Sequence, residues 1–181
     1  MLNLDQIVEG CKKNDRKSQK LLYDKYSSML MGVCMRYSHS TDEAQDVLQD
    51  GFLKILGAIN QFENKGSFEG WMRRIIVNTA ITNYRKNLKY YNQQNIDDLH
   101  TTEHSTSIYD SNFTLDELLK LVQELPSGYR IIFNLYAIEG YKHKEIAEML
   151  EIDIATSKSQ YSRAKSALRT KLDEISKVKI L

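Results

Sequence analysis

The stretch Asn92 to Asn112, NQQNIDDLHTTEHSTSIYDSN, limits what this chain can fold into more than any other. It is polar, lacks helical periodicity and carries more acids than bases. A segment of about twenty residues with no pattern of its own is too long for an ordinary loop inside one compact domain. The expectation is a flexible linker over 92–112, with one domain over 1–91 and another over 113–181. His100 and His104 fall inside the linker. No further ligand cluster accompanies them, so they are read as solvated and no metal site is expected.

Both flanks read as helical. One proline and eight glycines in 181 residues leave long helices unbroken. A hydrophobic content of 41% suffices for packed cores and excludes a disordered chain. The net charge of +1 matters less than its distribution, because local basic stretches bind phosphate even on a nearly neutral protein. Cys11 and Cys34 lack metal-type spacing and read as reduced thiols. The start, MLNLDQIVEGCKKND, has no basic leader followed by a long apolar run, and no apolar run is long enough to span a bilayer. A soluble, cytoplasmic protein with no direct membrane insertion is expected.

In the first half, Leu4, Ile7, Val8 and Cys11 share a side, which predicts a short helix to about Lys13. From Arg16 to about Tyr37, Leu21, Leu22, Tyr26, Met29, Leu30, Val33 and Cys34 recur at three- and four-residue steps. This is the stripe of an amphipathic helix, and its simplest use is core. Ser40-Thr-Asp-Glu43 has capping-box spacing and predicts a helix over about Thr41 to Asn60, with Ala44, Leu48, Phe52, Ile55 and Ile59 on its core face. Asp46, Gln49, Asp50 and Leu53 mark a second face, which by itself reads as solvated surface with one leucine. Phe62 to Gly66 is a loop, and Ser67 caps a helix from Phe68 to about Tyr90. Phe68, Trp71, Met72, Ile75, Ile76 and Thr79 should pack inward. Arg74, Asn78, Thr82 and Arg85 share another face; Arg73, Lys86 and Lys89 add charge, and no acid lies between Glu69 and Asp97. That face is either solvated or a surface for nucleic acid.

In the second half, Thr114-Leu-Asp-Glu117 is a capping box, and Leu115, Leu118, Leu119, Val122 and Leu125 mark a helix that ends before Pro126. A second helix runs from about Pro126 to Ile138, with Tyr129, Ile132, Phe133 and Tyr136 as its stripe and Gly140 as its stop. Tyr141 to Leu150 has helical spacing, and after a short turn Asp153 caps a basic helix to Lys171. Two short helices joined by such a turn make a helix-turn-helix, whose second helix reads base edges. The alternative is a helical hairpin with a solvated basic face. The N-terminal turns of the second helix would point Thr156, Ser157, Lys158, Ser159 and Gln160 to the groove, while Ile154, Tyr161, Ala164, Ala167 and Leu168 face a core. Gln160 suits an adenine edge; Arg163 and Lys165, further along, suit phosphates, with a guanine as the alternative for Arg163.

Leu125-Pro-Ser-Gly-Tyr-Arg130, Glu139 to Ala147, Thr156-Ser-Lys-Ser159 and Ser162-Arg-Ala-Lys165 resemble the C-terminal domain of extracytoplasmic-function sigma factors of bacterial RNA polymerase. Asp46 to Lys54 resembles the segment by which these proteins grip the clamp helices of the polymerase largest subunit. Phe68 to Ile75 and Asn78 to Ile81 resemble the segment that melts and reads the −10 element. The resemblance covers nearly the whole chain apart from the linker. It implies an all-α chain of two helical domains, the C-terminal one a four-helix helix-turn-helix domain that reads the −35 element. It also implies that Asp46, Gln49, Asp50 and Leu53 bind polymerase and that Phe62, Asn64 and Lys65 hold a flipped base. Arg74, Asn78, Arg85 and Lys86 would hold the strand. The implied partners are core RNA polymerase, through its clamp helices and the flap of the second subunit, promoter DNA and an anti-sigma factor. An acidic linker in this family threads the polymerase channels.

The chain departs from the family pattern at four positions. Thr82 stands where an acid is typical, Glu151 replaces the usual turn glycine, Ser157 stands where valine is common, and Gln160 where arginine is common. A regulator sharing only the C-terminal domain is the rival reading. An enzyme is not expected, and neither is a cofactor: no paired catalytic carboxylates, nucleophile motif, phosphate-binding glycine loop or zinc signature is found.

Overall fold

A computed structural model describes residues 3–63, 65–88 and 113–179. The expected linker at 92–112 lies outside the described residues, as does Asn64. The described residues are helical without strands, as expected, and the chain divides into two compact units, Met1–Tyr84 and Arg85–Leu181.

In the first unit, α1 (Leu4–Lys12), α2 (Arg16–Tyr37), α3 (Thr41–Ala58, continued by a 3-10 turn at Ile59–Gln61) and α4 (Phe68–Lys86) surround one core. Local chemistry fixes each start. Asn3 and Gln6 form a reciprocal capping box on α1. The Asp15 carboxylate accepts from the Ser18 amide at 2.9 Å and starts α2. The Ser40 hydroxyl accepts from the Glu43 amide at 3.2 Å, while the Glu43 carboxylate accepts from the His39 amide, one residue before the expected partner. The Ser67 hydroxyl accepts from the Gly70 amide, as the sequence predicts.

The core face of α3 is the expected one: Ala44, Leu48, Phe52, Ile55 and Ile59 are all buried. At Gly51 the two helices touch, since a Cβ there would stand 2.4 Å from the Cδ1 of buried Ile76 on α4. The stripe of α2 needs correction. Leu21 and Met29 are each 41% exposed, and the buried line runs through Leu22, Tyr26, Leu30, Val33, Cys34 and Tyr37. Cys11 and Cys34 are unpaired and buried, and burial pushes the Cys34 thiol up to about 12.

The second unit holds α5 (Leu115–Gln123), α6 (Ser127–Phe133), α7 (His143–Leu150) and α8 (Ile154–Lys179). The Thr114–Glu117 capping box forms as expected. Pro126 immediately precedes α6, and the buried Arg130 reaches back to donate to the Gln123 carbonyl at 2.9 Å, satisfying the end of α5. The single helix expected to Ile138 instead runs into a π-helical segment, Asn134–Ile138. The buried line also differs from the expected one, already before the π segment: Ile131 is buried with Ile132, Asn134 and Leu135 are fully buried, and Tyr136 is 38% exposed. Packing of α5, α6 and α7 against α8 closes the core, where Leu125, Ala164 and Ala167 are buried beneath Tyr129, Phe133 and Leu168.

Two residues here adopt left-handed backbone. Gly140 (φ 79°) follows the π segment, and Glu151 (φ 56°) makes the turn between α7 and α8 without the family's glycine. An L side chain in this region costs about 1–2 kcal/mol, partly offset by the entropy glycine loses on folding. Gly140→Ala has open space around its Cβ, so it isolates the backbone term. It should destabilise the unit by about 1 kcal/mol and lower its melting temperature by roughly 4 °C in thermal unfolding. An unchanged melting temperature would show that the left-handed turn relaxes at no cost.

Candidate nucleic-acid interface

Turning the apolar stripe of α3 into the core leaves Asp46, Gln49, Asp50 and Leu53 on the outside, all four exposed. Leu53 is 62% exposed, the most open large hydrophobic side chain among the described residues. Beside this face runs a groove of about 630 Å³ between α2 and α3, lined by Tyr23, Ser27, Met31, Gln49, Phe52 and Leu53 among others. The Tyr23 and Phe52 rings meet edge to face at 5.0 Å in its wall. The structure thus sets Gln49 and Leu53 in the wall of a furrow of mixed apolar and polar lining that the sequence pattern did not reveal.

On the loop before α4, Phe62 is half-buried, with its ring 4.9 Å from Phe68 and 5.4 Å from Trp71. Phe68 and Trp71 stack at 5.6 Å, so Trp71 belongs to an aromatic cluster that anchors the loop. Lys65 is exposed and pairs with Glu63 at 2.6 Å, an interaction worth little in water. Arg74, Asn78, Thr82 and Arg85 are exposed at steps that keep them on one side of α4, and the exposed Lys86 lies to one side of that line. The Thr82 hydroxyl donates to the Asn78 carbonyl at 2.9 Å.

In the second unit, α7, the three-residue turn Glu151–Asp153 and α8 form the expected helix-turn-helix. The Ser157 amide donates to the Asp153 carbonyl at 3.0 Å, which opens α8 where the sequence predicts. Two expected placements on this helix change. Ile154, expected inward, is 43% exposed. Ser157, expected in the groove, is 0% exposed, because it shares the inward face with Tyr161, Ala164 and Leu168 at helical spacing. Its hydroxyl lies 2.9 Å from His143 Nδ1.

Lys158, Ser159, Arg163 and Lys165 are exposed, while Thr156 and Gln160 are half-buried at the edge of the outward face. Ser162, exposed between Ser159 and Arg163, was not among the expected contacts. The spacing of the small residues Ala155, Ser159, Ser162 and Ser166 is the signal for that face. The Lys165 ammonium sits over the Tyr161 ring, 5.0 Å from its centroid. Burial, and then the charge of Lys158, hold the His143 imidazole below its ordinary value. Such a surface, small and polar with cations around it, fits a major groove lined by phosphates.

Comparison with known proteins agrees with both halves. Residues 22–90 match the Sigma-70 region 2 family, and residues 115–168 match the Sigma-70, region 4 family. The chain is similar to the RNA polymerase sigma-H factor of Pseudomonas aeruginosa, with 26% identity over 179 residues covering 90% of each chain. It is similar to the ECF RNA polymerase sigma-E factor of Escherichia coli, with 26% identity over 183 residues covering 94% of this chain and 95% of that one. Among solved structures it resembles the sigma factor RpoE of Bartonella quintana, co-crystallised with the anti-sigma factor NepR. That likeness, with a TM-score of 0.50, 21% identity and coverage of 85% of this chain and 96% of the other, concerns the fold alone. A regulator sharing only the C-terminal half does not account for the region 2 match.

Proposed function

The chain belongs to the extracytoplasmic-function sigma factors of the sigma-70 family, and on that premise we propose how its parts divide the work. As a member it binds core RNA polymerase and directs promoter-specific transcription initiation, as a factor and not a catalyst. The N-terminal domain, over 1–91, grips the clamp helices through Asp46, Gln49, Asp50 and Leu53. Phe62, Asn64 and Lys65 receive an unstacked base of the −10 element, and Arg74, Asn78, Arg85 and Lys86 hold the strand that carries it. The C-terminal domain, over 113–181, reads the −35 element as duplex and meets the flap of the second subunit. The linker between them follows the polymerase channels.

One observation carries this reading: a region 2 match and a region 4 match occur in order in one chain. The site of action is the cytoplasm, where RNA polymerase works; no described helix is long and apolar enough to cross a membrane. Because a similar fold has been solved with an anti-sigma factor, an anti-sigma factor is proposed as the restraining partner of this chain too. Run-off transcription with core polymerase tests the reading, with permanganate probing of the opened strand. Transcripts starting downstream of a shared sequence pair support it, and core polymerase that gains no start sites from this chain overturns it.

A further inference from the structure

Three elements of the second unit meet at one imidazole. His143 opens α7, Tyr136 comes from the π-helical segment, and Ser157 and Tyr161 come from α8. The Tyr136 ring stacks on His143 with centroids 4.3 Å apart and planes 17° apart. Tyr161 meets the imidazole at 5.7 Å and 61°, and lies 4.5 Å from Tyr136. The imidazole is therefore held by rings from two other elements, and its Nδ1 faces the Ser157 hydroxyl at 2.9 Å.

That hydroxyl is 0% exposed on an otherwise apolar side of α8. A buried hydroxyl deprived of its partner pays its full desolvation cost, which couples the ring to the first turn of the helix. Of the charges around the ring, which include Lys142, Lys144 and Glu145 beside it in sequence, Lys158 of α8 is the one that acts on the imidazole. Burial and then Lys158 disfavour an added positive charge, so the neutral ring with Nδ1 accepting from Ser157 suits the site.

We infer that His143 is a positioning residue for promoter reading: through Ser157, Tyr136 and Tyr161 it sets the angle at which α8 leaves the turn, and so the register of its exposed face against the bases. The inference rests on the proposed −35 reading. It deepens that reading by placing part of the specificity in residues turned away from the DNA-facing side. The π segment gains a role, since it carries the Tyr136 ring that stacks on His143.

The test uses holoenzymes of core polymerase with full-length variants, and a promoter duplex library randomised across the upstream element. The readout is base preference at each position at fixed salt, with total retention recorded separately. His143→Phe keeps a ring in the stack and removes the acceptor. It should lower preference at the contacted positions about fivefold, the effect of one broken buried hydrogen bond, while retention of unselected duplex stays the same. Adding Ser157→Val removes the orphaned hydroxyl and should restore preference to within about twofold, because replacing both partners by apolar groups is nearly neutral. A merely structural role would lower retention of every sequence in proportion and leave the preferences unmoved.

Unchanged preferences in His143→Phe, or a double variant that loses as much as the single, overturn the inference and leave the −35 reading standing. A wild-type holoenzyme that selects no upstream element overturns both. Should His143→Phe fail to fold, His143→Leu orphans the same hydroxyl with a smaller side chain, and unmoved preferences there overturn the inference.

Discussion

Leu53→Asp should abolish most binding to core polymerase while leaving the fold intact. The side chain is 62% exposed, so its loss removes almost nothing from the core. In an interface the same position becomes dry, and a carboxylate there has no partner. Asp46 and Asp50 on the same face add like charge. Central apolar contacts of this kind cost about 2 kcal/mol or more when disrupted, which is roughly thirtyfold in affinity. The measurement is competition for core polymerase against a labelled sigma factor, with circular dichroism as the folding control. Met29→Asp is the matched comparison. Met29 is 41% exposed and lies two residues from both Ser27 and Met31, which line the groove, so it points away from it. If Leu53→Asp binds as the parent does, or if Met29→Asp loses as much, this face of α3 is not the polymerase surface.

The parts of the fold that could be read from the sequence are those set by local chemistry. Ser40, Ser67 and Thr114 start helices because a side-chain oxygen can reach an amide three residues on, and that geometry is written in the spacing. The core face of α3 was legible for a similar reason: five apolar residues at helical steps leave one solution. On α2 the same rule admitted too many residues. A stripe can hold Leu22, Tyr26, Leu30, Val33 and Tyr37, and once it is full Leu21 and Met29 must lie outside it.

What failed depended on partners distant in sequence. A serine in a helix is compatible with either side, so nothing local turns Ser157 inward; the imidazole that receives it is on another helix. The burial of Arg130 has no local signal either, since the carbonyl it serves is that of Gln123 at the end of α5. The buried line of α6 runs through Ile131 and on to Asn134 and Leu135 instead of through the expected Tyr129, Phe133 and Tyr136, because both sides carry apolar residues and periodicity alone does not choose between them. On α8, Lys158, Ser159, Arg163 and Lys165 are exposed as a groove-facing surface requires, whereas Ser157 belongs to the helix's buried support.

Arg163→Ala and Lys165→Ala should fail in opposite ways. Arg163 is exposed one turn beyond Ser159, so when that face enters the groove its guanidinium follows toward the base edges. Gln160 sits half-buried at the margin, which leaves Arg163 the better placed of the two. A bidentate contact to guanine discriminates by about 1–3 kcal/mol, so Arg163→Ala should flatten preference at one −35 position by roughly tenfold or more. Lys165 lies to the flank, its ammonium held over the Tyr161 ring. From there it is expected to meet a phosphate, which carries no sequence information. Lys165→Ala should weaken all promoter variants alike and reduce the salt slope by about one unit. Both are read by titrating holoenzyme against single-base promoter variants at several salt concentrations. Uniform weakening by Arg163→Ala together with a changed base preference in Lys165→Ala would mean that the helix enters the groove by its other flank.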